Sequence, residues 1–221
     1  MARLAEKLED IYRRLYRAYG PQHWWPGETP FEVMVGAVLT QATAWRNVER
    51  AIASLKRAGA LTPEGIASLS EGELAALVRS AGFYRQKARR LRSLAEAVLR
   101  RGGVEAFLSL PPDRLREELL SLNGIGPETA DSIILYAAGY PTFVVDAYTR
   151  RILHRLGILA VEDAPYEEVK RLFEESLPPD PDLYGEYHAL LVRHAKEHCR
   201  ARPRCEGCPL APLCPRKPPA D

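Results

Sequence analysis

Leu122-Asn-Gly-Ile-Gly-Pro-Glu-Thr-Ala130 is the stretch on which the fold turns. Two glycines bracket Ile125 and permit a tight turn, while Pro127 presets φ at the start of a following helix. Leu115, Leu119 and Leu122 recur at helical spacing ahead of it, so the expected unit is two helices joined by a short hairpin. Such a turn presents the backbone N–H groups of Gly124, Ile125 and Gly126 at a helix N-terminus, an anion site suited to a DNA phosphate. An ordinary glycine-capped connection between helices reads the same way.

The same period runs through the rest of the chain. Leu4, Leu8, Ile11, Leu15 and Tyr19 keep it, as do Leu74, Leu77 and Val78, and then Leu91, Leu94 and Val98. Thr62-Pro63-Glu64 predicts an N-cap with proline at the first helical position, and Gly59, Gly102-Gly103 and Gly139 mark helix ends. Thr142–Val145 is apolar but too short to establish a strand, so the fold class is all-α. Pro178-Pro-Asp-Pro181 interrupts the chain before a last helix around Leu183–Glu197, and Lys217–Asp221 is expected to fray. A chain of 221 residues at 46% hydrophobic can bury a core as one large domain or two small ones, and no run is long enough to span a bilayer.

Charge has to be read by position. Thirty-one Lys and Arg against 29 Asp and Glu leave a net +2, too little to argue for nucleic acid. Arg85-Gln-Lys-Ala-Arg-Arg-Leu-Arg92 and the segment Arg193–Lys217 are locally basic, either as solvated faces or as phosphate contacts. Asp146 follows the apolar pair Val144-Val145 and precedes a helical pattern. It reads as an N-cap, and equally as a carboxylate able to stabilise an oxocarbenium-like sugar or activate water.

Cysteine is confined to the C-terminal end: Cys199, Cys205, Cys208 and Cys214, spaced C-x5-C-x2-C-x5-C. Disulfides are disfavoured, because residues 1–20 show no apolar core, charged leader or cleavage site of a secreted chain. Four thiolates suit tetrahedral zinc, whose usual signature is two C-x2-C knuckles with a longer spacer. Here one knuckle carries two arms, stiffened by Pro203, Pro209, Pro212 and Pro215 and bearing Arg200, Arg202, Arg204 and Arg216. An iron–sulfur cage fits that pattern best.

Phe31-Glu-Val-Met-Val-Gly-Ala-Val-Leu-Thr-Gln-Ala-Thr43, Ala81-Gly-Phe-Tyr-Arg-Gln-Lys-Ala88, the hairpin, Val145-Asp146 and the cysteines occur in an order that resembles the helix-hairpin-helix DNA glycosylases of the endonuclease III superfamily over nearly the whole chain. The resemblance implies a six-helix barrel domain over residues 26–138. It implies a second, discontinuous helical domain from residues 1–25 and 139–221, closed by a [4Fe–4S] cluster on the four cysteines. The first cysteine arm is one residue shorter than the six usual in that family.

Endonuclease III carries a lysine where this chain has Glu128, and that lysine forms a Schiff base that cuts the strand. A carboxylate cannot, so the resemblance implies monofunctional base removal with Asp146 as the catalytic carboxylate. Gly124–Ala137 and His23-Trp-Trp-Pro26 look closer to the bacterial 3-methyladenine glycosylases of the third type. In that family, positions matching Trp24, Trp25, Trp45, Glu128 and Lys196 line the base pocket, which suits a cationic alkylpurine. Gln41 matches the residue that fills the gap left by an extruded base, and Phe83 lies in the loop supplying the opposite wedge. The implied partner is double-stranded DNA with a damaged base, bound by a monomer without a membrane. The open alternatives are a bifunctional lyase acting on oxidised pyrimidines and a catalytically silent DNA-binding or redox module.

Overall fold

Proline opens five of the α-helices among the described residues, and the breaks between helices are correspondingly sharp. The structure, a computed structural model, describes residues 2–215, so Arg216 and the expected fraying at Lys217–Asp221 lie outside the described residues. All regular structure among the described residues is helical. No helix among them is long and apolar enough to cross a membrane.

The chain divides into two compact units. One, Trp25–Tyr140, contains α2 (Pro30–Leu39), α3 (Trp45–Arg57), α4 (Pro63–Ser68), α5 (Glu71–Leu77), α6 (Tyr84–Arg100), α7 (Val104–Leu108), α8 (Pro112–Ser121) and α9 (Pro127–Tyr136), with a 3-10 turn at Arg79–Ala81. Thr29 and Thr62 cap α2 and α4 through their side chains, each ahead of a proline at the first position. Residues Phe31 to Leu39 of α2 are all buried, as an all-round apolar helix must be. It packs against α3, α6 and α9, while α4 and α5 lie on α6. The predicted hairpin joins α8 to α9, which are clamped by Arg116 donating to the fully buried Asp131 carboxylate at 2.7 and 3.3 Å.

The other unit combines residues up to Trp24 with those from Pro141 onward. It holds α1 (Ala2–Tyr19), α10 (Ala147–Arg155), α11 (Tyr166–Glu174), α12 (Pro181–Glu197) and a 3-10 turn at Ala211–Leu213. Both α1 and α10 pack on α12. The apolar stretch Phe143–Val145 is non-helical and fully buried. Phe143 stacks on Phe173 at 3.7 Å and meets Tyr184 and Tyr187 edge-on. That anchored segment delivers Asp146 to the start of α10.

Candidate active site and thiol centre

The hairpin turn is tight because only glycine fits it. Gly124 has φ +80°, and a Cβ there would lie 2.1 Å from Arg90 Nε. Ile125 is 4% exposed and its N–H donates to Leu122 O at 3.1 Å. The expectation that Ile125 offers its amide to a phosphate is therefore corrected: that donor closes the turn itself. Gly126 is exposed, and its Cβ direction opens onto empty space.

Gln41 is tied to this turn. Its Nε2 donates to Gly124 O at 3.1 Å and to Thr129 Oγ1 at 2.9 Å, and its Oε1 accepts from Arg90. Phe83, the other expected wedge, is 64% exposed. Among the described residues three non-glycines adopt left-handed backbone: His23, Ala42 and Phe83. The first immediately precedes Trp24, the second immediately follows Gln41, and the third is the expected wedge residue. Such residues cost about 1–3 kcal/mol each and persist only where the surroundings hold them.

Asp146 is the N-cap of α10. Its Oδ1 accepts from Thr149 N at 2.7 Å, and its Oδ2 lies 3.6 Å from His188 Nε2 of α12. The residue is 9% exposed. Burial alone would raise its pKa, but the His188 contact and the Thr149 amide hold the carboxyl below its ordinary value. His188 itself stacks on Trp24, ring centroids 5.5 Å apart and planes within 1°. Because Asp146 has a depressed pKa, its charge is complete above the ordinary carboxylate value and is lost as pH falls through the lowered one. His188→Phe keeps the stack and removes the contact, so the acid limb of the excision-rate profile should move to higher pH. An unmoved limb would show that Thr149, and not His188, supports the carboxylate.

The other expected pocket residues fall in the Trp25–Tyr140 unit, apart from Lys196. Trp25 and Trp45 are half-buried and perpendicular, centroids 5.6 Å apart, and Trp25 also meets Tyr136 at 5.3 Å. Gly36 of α2 makes room for this group, since a Cβ there would come within 3.0 Å of Trp25. Glu128 is exposed in the first turn of α9. Lys196 is exposed in the last turn of α12.

All four cysteines line one cavity of about 150 Å³, together with Arg155, His194 and His198. No three His, Cys, Asp or Glu side chains among the described residues are grouped closely enough to hold a single metal ion. Zinc draws thiolates to about 2.3 Å from one centre, whereas a cavity near 150 Å³ accepts a group the size of benzene. The donor set therefore fits a soft multi-atom centre better than one ion. Arg155 supports this. It is 4% exposed, donates to Cys199 Sγ at 3.4 Å and to the carbonyls of Arg200 and Ala201 at 2.6 and 3.0 Å, and has a buried Nε without a hydrogen-bond partner. A buried guanidinium calls for negative charge beside it. Burial raises the Cys199 and Cys208 thiols, and Arg155 draws Cys199 back down. Burial lowers His194 to about 4, so it is neutral where it approaches Cys208 Sγ at 3.8 Å.

A profile described as HhH-GPD superfamily base excision DNA repair protein matches residues 35–179. The chain belongs to that superfamily. A Methanocaldococcus jannaschii protein, named as a candidate DNA repair glycosylase, is 48% identical over 95% of this chain and 96% of its own length. The H. pylori 3-methyladenine DNA glycosylase bound to 1,N6-ethenoadenine superposes with a TM-score of 0.74 at 31% identity, covering 88% of this chain and 97% of that one. A non-covalent endonuclease III–DNA complex gives 0.81 at 25% identity, with 96% and 95% covered.

Within this HhH-GPD chain the basic stretch Arg85–Arg92 is largely committed to protein. Lys87 is buried on backbone carbonyls, Arg89 pairs with Glu71, Arg90 reaches Gln41, and Arg92 donates to Leu69 O. Lys87, Arg90 and Arg92 brace helix ends and the hairpin, whereas Arg85 and Arg89 are exposed. Sequence reading missed His188, Arg155 and Lys87. His188 follows Tyr187 in an otherwise apolar stretch, whereas Lys87 lies within a basic run and Arg155 beside His154, so nothing in the sequence set those two apart from solvated cations.

Proposed function

We propose that this protein is a monofunctional DNA glycosylase that hydrolyses the N-glycosidic bond of alkylated purines, 3-methyladenine-like bases, in double-stranded DNA. The carrying observation is Glu128 in the first turn of α9, where a lyase of the endonuclease III kind needs an amine. An imine cannot form on a carboxylate, which leaves water as the nucleophile. Asp146, kept ionised by His188 and Thr149, offsets positive charge developing on the sugar. The Trp25–Trp45 pair offers aromatic faces and Glu128 offers negative charge, both suited to a base that is already cationic. An alkylated purine leaves readily and needs little general-acid help.

Cys199, Cys205, Cys208 and Cys214 would hold a [4Fe–4S] cluster, with Arg155 as the buried counter-charge. When bound, such a cluster supplies a cross-link between the end of α12 and the C-terminal loop.

The likeness to endonuclease III favours a second reading, a bifunctional lyase on oxidised pyrimidines using another amine. Labelled duplexes carrying a single alkylated purine, either cationic 3-methyladenine or neutral 1,N6-ethenoadenine, or a single oxidised pyrimidine separate the two. The wild type should release the purine, leave the strand intact until alkali is added, and resist borohydride trapping. Glu128→Lys should gain weak trapping and strand cleavage while losing preference for cationic bases. Efficient trapping of the wild type would put the lyase first, and no product from any damaged duplex would leave a DNA-binding module.

A further inference from the structure

Lys87 is 1% exposed, and its ammonium has carbonyls, not a carboxylate, as hydrogen-bond partners. Nζ donates to Leu39 O at 2.9 Å and to Ala81 O at 2.6 Å. Leu39 is the last residue of α2 and Ala81 the last of the 3-10 turn Arg79–Ala81. Carbonyls at helix C-termini carry partial negative charge and lack intrahelical partners, so one cation here closes two helix ends at once. The backbone N–H of Lys87 also donates to Phe83 O at 3.0 Å.

Both helix ends lead into the loops expected to open the duplex. Gln41 comes two residues after Leu39, and Phe83 two residues after Ala81. Each loop also contains a left-handed non-glycine, Ala42 at φ 51° and Phe83 at φ 45°. Backbone strain of that kind relaxes unless its flanks are held, and Lys87 holds the near flank of both loops. Burial, reinforced by Arg90, lowers its pKa to about 8, which leaves it charged at neutral pH.

We propose that Lys87 is a positioning residue for base extrusion, a strut that fixes the spacing between the Gln41 loop and the Phe83 loop. This rests on reading those two residues as the pair that displaces the base and fills its place. A misplacement of about 1 Å can cost on the order of a hundredfold, so loosening the strut acts on duplex opening and not on the Asp146 chemistry.

The test uses the full chain and a duplex with a single 1,N6-ethenoadenine flanked by 2-aminopurine, whose fluorescence reports unstacking as the target base leaves the duplex. The wild type should give a rapid rise. Gln41→Ala and Phe83→Ala should suppress it, and Lys87→Met should slow it about tenfold or more, with binding to the same duplex nearly unchanged. A role confined to stability would lower the thermal midpoint of Lys87→Met and leave the folded fraction with a wild-type rise. Lys87→Gln removes the charge and shortens the reach while keeping a polar head, and it decides the matter if the methionine variant does not fold: a slowed rise supports the strut, and a wild-type rise overturns it. Impaired Gln41→Ala and Phe83→Ala with normal Lys87 variants would overturn the strut alone. Normal behaviour of Gln41→Ala and Phe83→Ala would remove the wedge reading, and the strut with it.

Discussion

Asp146→Asn is expected to lower base excision by about a hundredfold or more while leaving duplex binding near normal. The substitution is informative because asparagine caps a helix about as well as aspartate. The Thr149 N–H bond that starts α10 can therefore survive. What disappears is the negative charge, together with its contact to His188. A hundredfold is about 2.7 kcal/mol of transition-state stabilisation, the order assigned to one preorganised electrostatic group. Single-turnover excision from the ethenoadenine duplex, alongside binding to an abasic-site duplex, gives the measurement. Near-normal excision would reduce Asp146 to its capping role, and parallel loss of binding and excision would indicate a fold defect.

Cys208→Ser should yield colourless protein without iron or sulfide and with a thermal midpoint lowered on the order of 10 °C. Cys208 and Cys205 belong to the shared two-residue turn, so removing either takes away one of the four thiols around the cavity. The consequence reaches beyond the ligand itself. Arg155 is buried against Cys199 and the carbonyls of Arg200 and Ala201, and without a negative centre its charge is left uncompensated. The segment after α12 should accordingly become sensitive to protease, while the α2–α9 unit keeps its helical signal. Wild-type protein should be yellow-brown with iron and sulfide. Stoichiometric zinc without sulfide in anaerobically prepared protein would overturn the cluster.

Much of this was legible in one dimension because its causes are local. A proline at the first helical position, a threonine cap and a glycine with positive φ act over three or four residues, and they mark α2, α4 and the α8–α9 hairpin directly. Apolar spacing at 3.6 residues identified α1 and α6 as half-buried helices. Asp146 could be seen as a cap, and the cysteines as one centre, from spacing alone.

Tertiary packing decided which side chains meet. His188 has no local reason to face a carboxylate; the packing of α10 on α12 brings Nε2 to Asp146 and lays the ring on Trp24. Arg155 lies 44 residues from Cys199, Lys87 lies 48 from Leu39, and Gln41 lies 83 from Gly124. Periodicity says that a position is buried or exposed. It carries no information about the partner, because that depends on the angle and offset at which two helices pack. Residue type and spacing thus determined the helices, the hairpin, the thiol set and the capping carboxylate. Only the folded chain decided that a histidine supports the carboxylate, that an arginine lies beneath the thiols, and that one buried lysine joins two strained loops, because buried charges settle where packing brings their compensating partners.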